Sequence, residues 1–467
     1  MMRSLYSGVS GLINHQTRMD VIGNNISNVN TIGYKKDRVV FQDIISQVMS
    51  GSSKPTNEKG GVNPKQVGLG MSVAAIDKIM TQGAIQTTGK NTDLAVMGEG
   101  FFIEKKGDQS FYSRAGNFGV DVNKTLVNPS NGFKIQGWSA QTLPDGTNVL
   151  NTAEQPGDII IPVGDKMAAQ ATSFIKFKSN LNSASSMAID PFNPTEQERA
   201  KGLVHTTSIK AYDSKGNTHD VVLEFNKVSE NRWRVVTKVP DSIEGSTRVD
   251  VTNPTLDGDN TFFINFDNRG ALVSVEDGTG TNRDILAQGD LSVNLNFNVN
   301  DGTVDAQGNP IGQQQTLRLD LGTVGQYNGI TQFGSDTTTK AVEQNGYGMG
   351  YLESFQINDT GTVIGTYSNG TRKELAQVAL ATFVNSQGLE KAGDTNFVET
   401  VNSGIANVGA AGVAGKGIIV AGALEMANVD LSQEFTDMIV TQRGFQANSR
   451  TITTTDTMLE EILRLKR

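Results

Sequence analysis

Cysteine is absent from the 467-residue chain, so no disulfide, thiolate nucleophile, cysteine-liganded zinc site or iron–sulfur cluster is available to it. This says little about compartment, because dense disulfides are a device of small secreted domains. Histidine is almost as scarce: His15, His205 and His219 share no H-E-x-x-H or similar metal spacing. Charged residues make up 19%, below the ~25% of ordinary globular chains, and Asn, Thr, Gln and Ser take their place. The charge present leans acidic, 40 Lys+Arg against 49 Asp+Glu for a net of -9, which gives no electrostatic footprint for nucleic acid or an anionic membrane surface. Long apolar runs are missing too. The most apolar stretch, 408–424, is rich in Gly and Ala and carries Lys416, whereas a spanning helix needs ~20 apolar residues. Ser4, Ser7, Gly8 and Ser10 interrupt any signal-peptide core at the start. A soluble chain of about three domains is expected, without cofactor or metal.

Stretches that could carry chemistry fall short of it. In Gly409–Gly417, Ala410 stands where a phosphate-binding loop needs its first Gly and Gly417 replaces the Ser/Thr; a flexible joint is expected instead. Asp257-Gly258-Asp259-Asn260 and Asp267-Asn268-Arg269-Gly270 lack the bidentate Glu of a calcium loop and read as hairpin turns. His219 beside Asp220 has no Gly-x-Ser-x-Gly elbow to serve and reads as a surface or turn histidine.

What is there is periodicity. Leu5, Leu12, Met19 and Ile26 are seven apart, with Ile22 and Val29 on the neighbouring position, which predicts a helix with a coiled-coil-like seam ending near Asn30–Gly33. At the other end Leu424, Leu431, Met438, Phe445, Ile452 and Leu459 repeat the step. The second seam position there is mixed: Phe435, Gln442, Ser449, Asp456, Leu463. Asp430 with Gln433 predicts the cap of a helix running to about Arg464. Both helices carry Asn, Gln, Ser and Thr on their other faces, a narrow apolar stripe suited to packing among copies. Between the ends the period falls to two. Val293, Leu295, Phe297 and Val299 alternate with polar residues, as do Leu317, Leu319, Leu321 and Val221, Leu223, Phe225. Turns are marked at Asp213-Ser214-Lys215-Gly216-Asn217, Asp301-Gly302 and Ser368-Asn369-Gly370-Thr371, so the middle is expected to be antiparallel β throughout.

The segment from Ile22 to Lys35, which contains Asn24, Asn25, Asn28, Val29, Asn30, Gly33 and Tyr34, resembles the N-terminal signature of bacterial flagellar rod, hook and basal-body proteins. Further runs agree in order: Gly68–Met71, Thr81-Gln82-Gly83, Asn91–Val96, Gly98–Phe102, Ser113–Phe118, then Leu424-Glu425, Asn428–Leu431 and Thr441–Ser449. The Asp213–Asn217 and Ser368–Gly370 turns resemble the hook members, and the rod relatives largely lack such a middle region. The resemblance implies an α+β chain. Terminal helices, 1–33 with 424–467, would form a coiled-coil-like inner layer, and two or more antiparallel β-rich outer domains would follow in a radial arrangement. A linker would span 34–70, an inner β-domain 71–150 with 343–423, and the outer β-region 151–342, with joints near Gly60-Gly61 and Gly409–Gly417. It implies a homopolymer of identical subunits forming a curved tube that joins rod to filament, transmits torque and lets exported subunits pass. Rod, hook-cap and hook–filament junction proteins and the flagellar type III export apparatus would be its partners, with no nucleic acid and no membrane insertion. The location would be the flagellum outside the cytoplasm, extracellular or periplasmic. The inter-subunit seam would use Leu5, Leu12, Met19, Ile26, Leu431, Met438, Phe445, Ile452 and Leu459. A distal rod subunit or a β-rich surface adhesin are the competing readings. In some relatives with periplasmic flagella a self-catalysed lysinoalanine bond joins a Lys to a Cys of the next subunit. On the matching stretch, beginning at Lys166, Ser179 stands at the cysteine's position, followed by Asn180, and a hydroxyl leaves too poorly for the elimination.

Overall fold

The computed structural model describes residues 2–55, 59–143, 148–187, 190, 194–195, 203–243, 246–250, 260–277, 285–286, 288–299, 312–338 and 340–465. The expected turns at Asp257-Gly258-Asp259 and Asp301-Gly302 lie outside these residues.

Both chain ends are helical: α1 is Met2–Ser27 and α2 is Leu431–Leu465. They run antiparallel, with Gly8 beside Ile452 near one end and Asn25 beside Glu434 at the other. The cap of α2 is as expected from Asp430, whose Oδ1 accepts the backbone N–H of Ser432 (2.9 Å) and Gln433 (3.3 Å). Leu424, first of the predicted seven-residue series, is not helical. It sits in the strand Ala423–Glu425, paired with Ile85–Thr87, because the Asp430 cap starts the helix only at Leu431. Likewise α1 stops at Ser27, and Gly33 uses its left-handed φ of 68° in the turn beyond the helix.

The expected linker is a long antiparallel arm. Asp37–Asp43 pairs with Met71–Lys78, and farther out Ser46–Ser50 pairs with Lys65–Gly68, so the return strand extends past the predicted boundary at residue 70. The apolar and β-branched runs Val39-Val40-Phe41 and Val73–Ile76 favour paired strands over a tether.

The inner β-domain interleaves two distant pieces of chain. Its main sheet runs Lys166–Met167, Gly350–Ile357, Thr362–Tyr367, Arg372–Thr382, Lys134–Ser139, Phe101–Lys106, Gln109–Ser113, Asn396–Val398, Glu390–Gly393. Leu94, Phe102, Phe118, Ile135, Val378 and Leu380 fill its core with no exposure. The Gly409–Gly417 stretch is not a joint. It turns between Asn407–Ala410 and Ile418–Ala421, both paired into this domain, and is held by Gly417 N–H to Glu99 O at 2.6 Å.

The described residues between about 172 and 344 form one sandwich. A five-stranded sheet centred on Asp290–Val299 and Gln313–Thr323 faces a six-stranded sheet centred on Thr218–Ser229 and Arg232–Lys238. The alternating series meet as predicted: Val293 pairs Leu319 and Leu295 pairs Leu317, all buried, over Phe225 and Trp233 from the opposite sheet. The expectation of antiparallel pairing throughout fails where the chain enters. Phe174–Lys176 pairs in parallel with Arg318–Asp320, and Ser179–Asn182 in parallel with Ile330–Phe333. A parallel partner needs a long crossover, and here the intervening sandwich is that crossover.

Candidate assembly surface and the buried ionic knot behind it

Within the chain the two helices meet through small and polar residues. On α1 the buried positions are Gly8, Gly11, Asn14, Ile22 and Asn25; on α2 they are Glu434, Thr441 and Thr455, with Asn448 half-buried. A Cβ on Gly11 would lie 2.6 Å from Asn448 Nδ2, and one on Gly444 would lie 2.8 Å from His15 Nε2. Removing side chains there lets the backbones close up. The second series on α2 is therefore 434, 441, 448, 455, one residue before the mixed positions Phe435 to Leu463 expected from the sequence. The apolar series flanks this seam: Leu5, Leu12, Met19, Ile26, Met438, Phe445, Ile452 and Leu459 are half-buried and Leu431 is 40% exposed. Beyond them lie open apolar side chains, among them Ile13 at 59%, Phe435 at 49% and Ile439 at 58% exposure. No helix among the described residues is long and apolar enough to cross a membrane.

The signature segment closes a knot where α1, α2, the arm and the inner β-domain converge. Asn25 saturates its amide: Nδ2 donates to Asp37 O (2.9 Å) and Glu434 Oε2 (3.2 Å), while Oδ1 accepts Asp37 N–H (3.1 Å) and Tyr34 O–H (3.2 Å). Asn28 folds back on Asn24 and takes the Thr31 hydroxyl at 3.1 Å, stopping the helix. Val29 is half-buried; Asn24 and Asn30 are exposed. Gly33 donates to Glu425 O at 2.8 Å. Glu425 itself is fully buried, with Oε1 2.6 Å from Lys35 Nζ and Oε2 3.4 Å from Arg114. Gly83 N–H adds a bond to Oε1 at 2.9 Å, and Lys35 Nζ also donates to Thr81 O at 2.8 Å. Burial pushes both Lys35 and Arg114 below their ordinary pKa, opposed by the Glu425 charge. Asn428 ties in the start of α2, accepting Lys36 N–H and donating to Ile79 O, both at 2.8 Å.

Lys35, Arg114, Glu425 and Asn428 lie inside the signature runs, where the sequence alone gives them no individual role. The only signal was a charge set among apolar or small neighbours. The knot positions elements, and it offers no open polar centre for substrate.

Lys166 and Ser179 fall on different sheets. Lys166 is exposed on the inner sheet opposite Tyr351. Ser179 is buried in the outer sandwich beside Ile330, and its Oγ meets no hydrogen-bond partner. Asn180 donates through Nδ2 to Ser335 and accepts Phe333 N–H at 2.8 Å. His219 is buried rather than superficial, with Nε2 3.4 Å from Asp213 inside the 213–217 turn.

Comparison with known proteins matches four stretches of the chain to families. These are the flagella basal body rod protein (residues 5–35), the flagellar hook protein FlgE/F/G D1 domain (95–175), the flagellar basal body protein FlaE D2 domain (180–347) and the flagellar basal body rod FlgEFG protein C-terminal (420–465). Flagellar hook protein FlgE of Borreliella burgdorferi is 51% identical, and that of Treponema pallidum 48%, each covering 100% of both chains. The flagellar basal-body rod protein FlgG of Bacillus subtilis is 28% identical, also over 100% of both chains. The two hook relatives are thus far more similar to the chain than this rod-named one, at 51% and 48% against 28%. With hook relatives at this identity along its whole length, the chain belongs to the flagellar hook protein family, as a structural subunit of the bacterial flagellum and not an enzyme.

Proposed function

We propose that copies of this chain stack into a curved tube in which the α1–α2 hairpins form the inner wall, the inner β-domains surround it and the outer sandwiches lie outermost. The observation that carries this reading is the half-open apolar series on both helices. A lone hairpin with such a stripe is marginal in water, and neighbours that cover it complete its burial. The seam residues Leu5, Leu12, Met19, Ile26, Leu431, Met438, Phe445, Ile452 and Leu459 then serve contacts between subunits as well as within them. Neutral residues such as Gln442 leave a wall that does not trap charged cargo passing through. In this reading the tube transmits torque between rod and filament, meets rod, cap and junction proteins at its ends, and receives its subunits from the type III export apparatus. It works outside the cytoplasm, in the medium or in the periplasm.

The test is a double substitution on the open face, Ile13→Lys with Phe435→Lys. Both side chains are exposed in the monomer, so its thermal melt should not move. Placing two charges in a covered contact costs at least ~3 kcal/mol, raising the critical concentration for sedimentable polymer at least ~100-fold. Unchanged polymerisation would remove the helices from the interface.

We further infer that this hook carries no lysinoalanine bond, since Ser179 offers no thiol leaving group. Ser179→Cys is expected to create SDS-resistant polymer under mildly alkaline conditions, and Ser179→Cys with Lys166→Arg is expected not to. Resistance in the second variant would assign the bond to another lysine.

A further inference from the structure

Glu104, in the strand Phe101–Lys106, is a carboxyl sealed inside the inner β-domain with 0% exposure. Its oxygens meet amides and no cation. Asn128 Nδ2 lies 2.9 Å from Oε1, Asn131 Nδ2 lies 3.2 Å from Oε2, and Asn396 reaches the carboxyl from the hairpin formed by Glu390–Gly393 and Asn396–Val398. The strands on either side set Phe111 and Ile135 opposite Glu104, so neither brings a titratable group to its face. The described cations on the surrounding elements are engaged elsewhere: Lys106 lies over the Phe133 ring, Lys134 pairs with Asp158 and Lys391 with Asp37. The charge that does act on Glu104 is that of Asp394, and it opposes ionisation. A buried carboxyl without a counter-charge binds a proton rather than stay charged. Burial pushes the Glu104 pKa above the ordinary Glu value, against the pull of the three amides.

An unsatisfied atom sits against this carboxyl. Asn396 is 2% exposed, and its Oδ1 is a buried acceptor that meets no donor, which is rare in a folded interior. A half-turn of the amide about its Cβ–Cγ bond exchanges oxygen and nitrogen in place and turns Oδ1 towards Glu104. A carboxylate, which only accepts, would repel it there, whereas a protonated carboxyl supplies the donor it lacks. Asn396 also closes a strained turn, since Asp394 and Thr395 hold left-handed φ values of 49° and 61°, and such residues keep that conformation only where their surroundings fix it.

We propose that Glu104 is a proton-binding lock of the inner β-domain: the folded subunit takes up a proton there, and the O–H so formed donates to Asn396 Oδ1 and ties the 390–398 hairpin to the main sheet. Folding of the inner domain is then coupled to proton uptake. The stability this contributes is fully present below the ordinary Glu value of 4.5 and is lost as pH rises through the raised value of the buried group.

Glu104→Gln fixes the neutral form, with an amide that donates to Asn396 Oδ1. Urea unfolding of the full chain, read at Trp138, compares this variant with wild type across pH, so that the titration of every other group cancels in the ratio. Wild type should stand best relative to the variant in acid and lose ground as pH rises, the ratio of unfolding constants changing by up to about tenfold per pH unit. A ratio independent of pH would overturn the proposal. So would one that moves in favour of wild type as pH rises, because it would show a carboxylate held as an anion by the amides. Infrared spectra of wild type decide the matter even if the variant does not fold. The folded chain should keep a protonated-carboxyl C=O band at pH values where exposed carboxyls have ionised, and the band should vanish in urea; no such band overturns the lock. Asn396→Ala removes the acceptor and should move the loss of that band to lower pH. A move to higher pH would show that Asn396 donates to a carboxylate, and would overturn it as well.

Discussion

Glu425→Ala is expected to lower stability by about 3–5 kcal/mol, because it leaves two buried cations without the carboxylate that ion-pairs with both. Lys35 and Arg114 are 1% and 2% exposed and converge on this one carboxylate. Neither can reach water without opening the junction between α1, the arm and the inner β-domain. Gly83 N–H loses its acceptor at the same time. Urea unfolding monitored at the buried Trp138 of the inner domain reads the loss. The decisive comparison is the triple variant Lys35→Met, Arg114→Leu, Glu425→Met. It removes the stranded charges along with the carboxylate and should recover most of the lost stability, as apolar replacement of a buried ion pair often does. A triple variant as unstable as Glu425→Ala would show that packing at residue 425, not charge, holds the joint.

Gly33→Ala is expected to cost about 3 kcal/mol or more. Part is conformational: φ is 68°, and a side chain in the left-handed region costs roughly 1–2 kcal/mol. The rest is collision. A Cβ at this position would lie 2.4 Å from the backbone N of Ala115 and 2.7 Å from the carbonyl carbon of Arg114, and backbone cannot rotate aside as a side-chain tip can. Moving that backbone also displaces Arg114 from Glu425. The loss in Gly33→Ala, Glu425→Ala should therefore be smaller than the sum of the two single losses, the mark of coupled sites; strict additivity would separate the turn from the knot. Gly23→Ala makes the control. It lies inside α1 with open space at its Cβ, and helix propensity alone should give a gain of up to ~1 kcal/mol.

Periodicity carried the reading of this chain where contacts are local and failed where they are not. The step from Met438 to Leu459 and the Asp430 cap describe α2 because a helix is written in residues three to seven apart. Val293 to Val299 describe a strand by the same logic at period two. The contact between the two helices within the chain is made by Gly8, Gly11, Thr441 and Asn448, and the apolar stripe does not reveal it, because glycines and polar residues leave no hydropathy signal. Parallel pairing of Ser179–Asn182 with Ile330–Phe333 was invisible, since nothing in either segment names a partner some 150 residues away. The knot was hidden for the same reason: Lys35, Arg114 and Glu425 each look like an ordinary charge until the fold stacks them.

The separation of those three charges has a consequence for how the molecule is made. Lys35 lies 390 residues ahead of its carboxylate and Arg114 lies 311 ahead. A chain synthesised from its N-terminus therefore carries both cations without their ion-pair partner until almost the whole subunit exists. Any product that ends before Glu425 lacks the counter-charge for good. A subunit truncated before Glu425 is therefore expected not to close this joint, and the charges that lock a finished subunit would then count against an unfinished one.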